Sequence, residues 1–175
     1  MFEQDIVGAT THIADVFRFA AKGGLLKGDV PVASLDRIKG LLCADSGVVS
    51  WQLSGCIDVE GKPRLDLTVN GQLMLRCQRC LNEMGWTLAV NTALLPVRPG
   101  QRLPEDELEN DEADAIEVGT GGFLDVLSLV EDEIILALPI APRHTDCRLP
   151  GSEETSGDER KKSPFAVLVR NKENS

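Results

Sequence analysis

From residue 47 onward, apolar and polar side chains alternate. Val49, Trp51, Leu53, Ile57 and Val59 share one parity, against Ser50, Gln52, Ser54 and Asp58. The pattern resumes after EGKP at 60–63, where Leu65, Leu67, Val69, Leu73 and Leu75 oppose Asp66, Thr68, Asn70, Gln72 and Arg76. A third run carries Trp86, Leu88, Val90 and Leu94 on one parity. A period of two puts successive side chains on opposite faces of a strand, so three such runs joined by short turns predict an antiparallel meander with one buried face. Gly55 and Gly71 fall inside the strands and suggest bulges or bends.

Elsewhere the period lengthens. Residues 13–42 read as helical in pieces: Leu35, Ile38, Leu41 and Leu42 recur at three- and four-residue spacing behind a Ser34 N-cap, while Gly23-Gly24 and Pro31 interrupt what precedes. GFLDVLSLVEDEIILALP predicts a helix of about four turns ended by Pro139, with apolar residues over most of its circumference. Such a helix packs on the open face of a sheet. The fold class is therefore α+β: an antiparallel meander, partly closed, packed by one long helix, with short N-terminal helices and a flexible C-terminal tail.

Charge refines the organisation. The chain of 175 residues carries a net charge of −10. Residues 1–100 are balanced, and the imbalance belongs to 101–175. GQRLPEDELENDEADAIE at 100–117 has the composition of a mobile, solvated loop. GSEETSGDERKK at 151–162 reads as a linker delivering a short apolar stretch, SPFAVLVR, to the end of the chain. The expectation is one domain over 1–150 and a linker with tail over 151–175. A nucleic-acid binder relying on non-specific phosphate contact normally has the opposite sign, so any RNA role needs a local basic patch or a protein intermediary. MFEQDIVGAT lacks the basic start and apolar core of a secretory signal, and no apolar run reaches the ~18 residues of a membrane span. A soluble, cytoplasmic location is the simplest reading.

Five cysteines, an odd number, argue for reduced thiols over a disulfide framework. Cys43 and Cys56 read as small buried apolar side chains. Cys77 and Cys80 form a C-x-x-C between the second and third strands, and His144 with Cys147 forms an H-x-x-C past the helix. A Cys3His set in two close pairs suits structural zinc, whose closed shell leaves no position for catalysis. Unmetallated thiols are the competing reading. A thioredoxin-like centre fits less well, because that motif opens a helix and this one precedes a strand.

Arg76, Arg79, Arg98 and Arg64 can gather at one sheet edge and, with Trp86, form a basic and aromatic platform for RNA. The ordinary alternative is scattered surface arginines and a core tryptophan. Glu131, Asp132 and Glu133 have no nucleophile or histidine nearby in sequence, and they read as solvent or partner contacts.

Taken in order, CQRCL after an alternating strand, an acidic insertion, DVLSLVEDEIILALPIAPRH, a later cysteine and a closing SPFAVL resemble the YceD family of large ribosomal RNA subunit accumulation proteins. The resemblance covers roughly 15–170 and is strongest at 76–81, 125–147 and 163–168. It implies a bacterial or organellar factor needed for accumulation of large-subunit (23S) ribosomal RNA, not an enzyme. The matching positions are Cys77, Arg79, Cys80, Glu131, Asp132, Glu133, Pro139, Pro142, His144, Cys147, Pro164 and Phe165.

The expectation is a non-enzymatic ribosome-biogenesis factor with no catalytic residues. Its metal candidates are Cys77, Cys80, His144 and Cys147. Its RNA or partner candidates are Arg76, Arg79, Arg98, Glu131, Asp132, Glu133 and Phe165. Two rival readings are a thiol-redox or metal protein using the C-x-x-C, and a chaperone for a basic ribosomal protein that makes no RNA contact. Large-subunit ribosomal RNA or a ribosomal protein is the expected partner, with no small-molecule substrate.

Overall fold

A computed structural model describes residues 4–5, 12–101 and 113–148. Most of the acidic segment at 100–117, and the tail at 151–175 with Phe165, lie outside the described residues.

The meander is the frame of the molecule. Strands β4 (Val48–Ile57), β5 (Pro63–Arg76) and β6 (Glu83–Val97) pair antiparallel in sequence order. The predicted parity holds at Val49, Trp51, Leu53, Leu65, Leu67, Val69, Leu73, Leu75, Leu88, Val90 and Leu94, all buried. It fails at the end of β4, where Ile57 is exposed and Val59 sits in the hairpin turn beyond the packed region. Gly55 and Gly71 make no bulge, because the register runs unbroken through Val49↔Gly71 and Gly55↔Leu65. Gly55 instead admits a helix: a Cβ there would lie 2.8 Å from Ala20 Cα.

The sheet extends past the meander on both sides. Strand β3 (Leu25–Pro31) pairs antiparallel with β4, and β1 (Gln4–Asp5) and β7 (Asp114–Glu117) add parallel edge strands. The order is β1-β3-β4-β5-β6-β7, with no closing pair between the edges among the described residues. Strand β3 replaces an expected helix. Its alternation is hidden by Gly28, which sits opposite Trp51 and whose missing Cβ leaves room for the indole. Strand β7 occupies 114–117, so the end of the acidic segment is sheet edge and not solvated loop.

One face of the sheet is covered. Helix α1 (Val16–Ala21), capped by Asp15, lies over β4 and β5. The segment at 32–42 makes two 3-10 turns, Val32–Ser34 and Lys39–Leu41, instead of a helix. Leu35 and Ile38 are fully buried and lie between the two 3-10 turns, the Leu35 amide donating to Val32 O and the Ile38 amide to Leu35 O, so both reach the core without an α-helical nucleus. Helix α2 (Val126–Ala137) crosses β6 and is shorter than the pattern suggested. It starts at Val126 because Asp125 accepts from the amides of Leu127 and Ser128. The residues before it form a glycine turn and strand β8 (Leu124–Asp125), paired with β2 (His12–Ile13). No helix among the described residues is long and apolar enough to cross a membrane.

Candidate metal centre

The C-x-x-C turn joins β5 to β6. The Cys77 amide donates to Asn82 O (2.9 Å) and the Leu81 amide to Cys77 O (3.0 Å), closing a tight knuckle. Leu81 takes the left-handed conformation (φ 62°), a strained state for a non-glycine residue.

After α2 the chain passes Pro139 and Pro142 and returns to this turn. The Gln78 amide donates to Pro142 O (2.8 Å), and the Arg79 guanidinium donates to Cys147 O (3.0 Å). These two ties bring His144 and Cys147 onto the knuckle. Cys77 Sγ lies 3.5 Å from Cys147 Sγ, and Cys80 Sγ lies 3.3 Å from His144 Nδ1. All four ligand atoms fall within 4.8 Å of one another.

The donors fit a tetrahedral cation of zinc size, since Zn–S of ~2.3 Å requires sulfurs roughly 3.8 Å apart. Their surroundings fit as well. His144 Nε2 is 3.0 Å from Glu83 O; as donor there, the ring leaves the Nδ1 lone pair facing Cys80. The Arg79 amide donates to Cys77 Sγ (3.4 Å), which favours a thiolate. Burial pushes the Cys77 thiol up, but the backbone amides of Cys80, His144 and Arg79 and the Cys147 thiol together bring it down to about 5. Cys147 is pushed above its ordinary value by burial and by the neighbouring sulfurs. Two sulfurs this close cannot both hold full negative charge without a cation between them.

Cys43 and Cys56 are half-exposed and outside this set, contrary to the buried apolar role expected of them. Cys56 lies on the polar parity of β4, 3.9 Å from Asp66 Oδ2.

The remaining candidates divide. Arg76 and Arg79 belong to the knuckle. Arg98 follows the far end of β6, about 45 Å of strand away, where its guanidinium sits 4.3 Å from the Phe17 ring centre. Arg64 opens β5 at that same far end and pairs with Asp66 (2.8 Å). The four arginines therefore do not gather: an antiparallel pair places the start of β5 beside the end of β6. Trp86 is on the core-facing parity and half-buried, so it makes no open platform.

Glu131 and Glu133 are not solvent contacts. Glu131 Oε1 accepts from the Arg37 amide (3.0 Å) and Glu133 Oε2 from the Thr92 hydroxyl (3.0 Å), both nearly buried. They tie α2 to the 32–42 segment on one flank and to β6 on the other. Burial raises the Glu133 carboxyl, with Asp114 and Asp132 adding to the rise against the Thr92 hydrogen bond. Asp132 is half-exposed and pairs with Arg37 (2.6 Å).

Residues 65–171 match the profile of the family described as large ribosomal RNA subunit accumulation protein YceD. The chain belongs to the YceD family. A curated relative from Haemophilus influenzae carrying the same description is 33% identical over 122 residues, 66% of this chain and 65% of the relative. The matched region is thus slightly under two thirds of that relative's length. No solved structure matches the chain. The family match begins on β5 and takes in all four cluster ligands. The family is described by a process, the accumulation of a ribosomal RNA, and not by a reaction.

Proposed function

We propose that this protein is a non-enzymatic factor in biogenesis of the large ribosomal subunit, acting in the cytoplasm on large-subunit RNA or on a ribosomal protein bound to it. Membership of the YceD family carries this reading. The four-donor cluster supports a structural zinc ion held by Cys77, Cys80, His144 and Cys147. Four protein ligands fill a tetrahedral shell, so the metal would stiffen the β5–β6 turn and offer no open position for chemistry.

In-cell ultraviolet crosslinking of the tagged protein, with sequencing of the attached RNA, tests the reading. Enrichment of large-subunit RNA, together with reduced large-subunit RNA on depletion, is expected. Unchanged large-subunit RNA in depleted cells would sink it.

A thiol-redox reading has one observation in its favour, the acid-shifted Cys77 with the Cys147 sulfur 3.5 Å away. Zinc and free-thiol titration of one purified sample separates the two. One zinc per chain with protected thiols excludes the redox couple, whereas metal-free, readily oxidised thiols favour it. A protein-only chaperone acting through the acidic part of the chain predicts crosslinks to a ribosomal protein and none to RNA.

A further inference from the structure

The knuckle carries a second arginine pair from a distant part of the sequence. Arg143 precedes His144 and Arg148 follows Cys147, so the fold that assembles the four ligands also carries these two residues to the knuckle that holds Arg76 and Arg79. Arg79 is committed to Cys147 O. The side chains of Arg76, Arg143 and Arg148 are exposed and make no hydrogen bond or ion pair among the described residues. Several other cations are engaged: Arg37 with Asp132, Lys39 with Asp36, Lys62 with Glu60, Arg64 with Asp66 and Arg98 with Phe17.

We propose that Arg76, Arg143 and Arg148 form a phosphate-binding face for single-stranded or looped RNA, mounted on the metal knuckle. The inference rests on the ribosome-biogenesis reading and names the surface and ligand that serve it.

Charge supports the assignment. Segments 76–83 and 142–148 hold four arginines against the carboxylates of Glu83 and Asp146, in a chain whose net charge is −10. A metal with three thiolates subtracts one further charge, but those sulfurs are drawn inward while the guanidinium groups point to water. The chain's net negative charge repels phosphate overall, so a local arginine cluster is where a polyanion gains a favourable approach. Arginine suits the task because its planar fork pairs with phosphate oxygens in two parallel bonds. Rigidity adds to affinity, since three arginines held on one cross-linked corner lose less freedom on binding than arginines on a loop. Trp86, the nearest tryptophan or phenylalanine along the chain, lies on the core side of β6. The face therefore offers charge more than stacking, and contact through phosphates with little base preference follows.

The test uses the full chain with its metal and a single-stranded RNA of about 16 nucleotides, titrated at several salt concentrations. For the Arg143→Ala/Arg148→Ala double variant, affinity should fall at least tenfold, and the slope of log affinity against log salt should shrink by roughly 1.4, about 0.7 per lost phosphate contact. Metal content and thermal midpoint should stay at wild-type values, because neither side chain has a partner to lose. Arg98→Ala, at the opposite end, should leave affinity and slope unchanged. A double variant with wild-type affinity and slope would overturn the face, as would a wild-type protein that ignores the RNA and binds only a ribosomal protein. Either result would leave the biogenesis role standing if cells lacking the protein still lose large-subunit RNA.

Discussion

Two turns close the meander, and they are built on different principles. The β4–β5 hairpin is self-contained. Asp58 Oδ1 accepts from the amides of Glu60 (2.9 Å) and Lys62 (2.8 Å), the Asp58 and Gly61 amides complete the loop, and Gly61 supplies the left-handed residue at φ 83°. Every group needed lies within five residues. The β5–β6 turn is not self-contained. Its cysteines meet a histidine and a cysteine 64 and 70 positions away, and its left-handed residue is a leucine. The first turn only reverses the chain. The second cross-links two parts of the fold, and it is the turn the family profile encompasses.

The contrast is most exposed to metal removal. Chelation of the holo protein should cost roughly 3 kcal/mol or more, lowering the thermal midpoint by several degrees, and Cys80→Ser should behave like the chelated wild type with no further response to chelator. A wild-type midpoint indifferent to chelator would make the two turns equivalent and remove the cross-link. Asp58→Ala, in the local turn, should cost about 1 kcal/mol by denaturant unfolding, equally with and without chelator, because its hydrogen bonds are independent of the distant segment.

Leu81→Asn should raise stability by about 0.5–1 kcal/mol, since asparagine tolerates the left-handed conformation and the exposed leucine surrenders little packing. A loss at Leu81→Asn would mean that the leucine contributes contacts outweighing its strain.

The smallest effect concerns the far side of α2. Glu133 has a raised carboxyl, so the folded state holds the proton more tightly than the unfolded chain. Stability contributed by this group is present below its unfolded value and declines as pH rises through the raised folded value. Glu133→Gln keeps a partner for Thr92 without the charge. It should be as stable as wild type near pH 4 and slightly more stable near pH 7.5, measured by urea unfolding at both. A larger deficit at pH 7.5 would show that the ionised carboxylate is needed there.

Much of the frame was legible along the chain. Alternation located β4, β5 and β6 and, apart from the exposed Ile57 and Val59, their inward residues, because a strand's period of two is local geometry. The Cys3His pairs were legible from thiol and imidazole chemistry at close spacing. Three readings went astray for a common reason. Residues 25–31 look like broken helix until β4 supplies the edge they pair with. Leu35 and Ile38 suit an α-helix until the core takes them from the turn that links two short 3-10 segments. Glu131 and Glu133 read as surface until Arg37 and Thr92 arrive from elsewhere in the fold. Arg143 and Arg148 each adjoin a metal-ligand candidate in sequence, and nothing local links them to Arg76.

By itself, the amino-acid order determined the meander, its buried face, the uneven charge and the kinship with the YceD family, since these depend on periodicity, composition and ordered motifs. Only the tertiary structure decided that Arg64 and Arg98 lie at the opposite end of the β5–β6 pair from Arg76 and Arg79, and that two glutamates are internal ties. It also decided that the two half-sites converge within metal-binding distance. Those outcomes depend on contacts between positions tens of residues apart, where the fold sets the separation and sequence spacing does not.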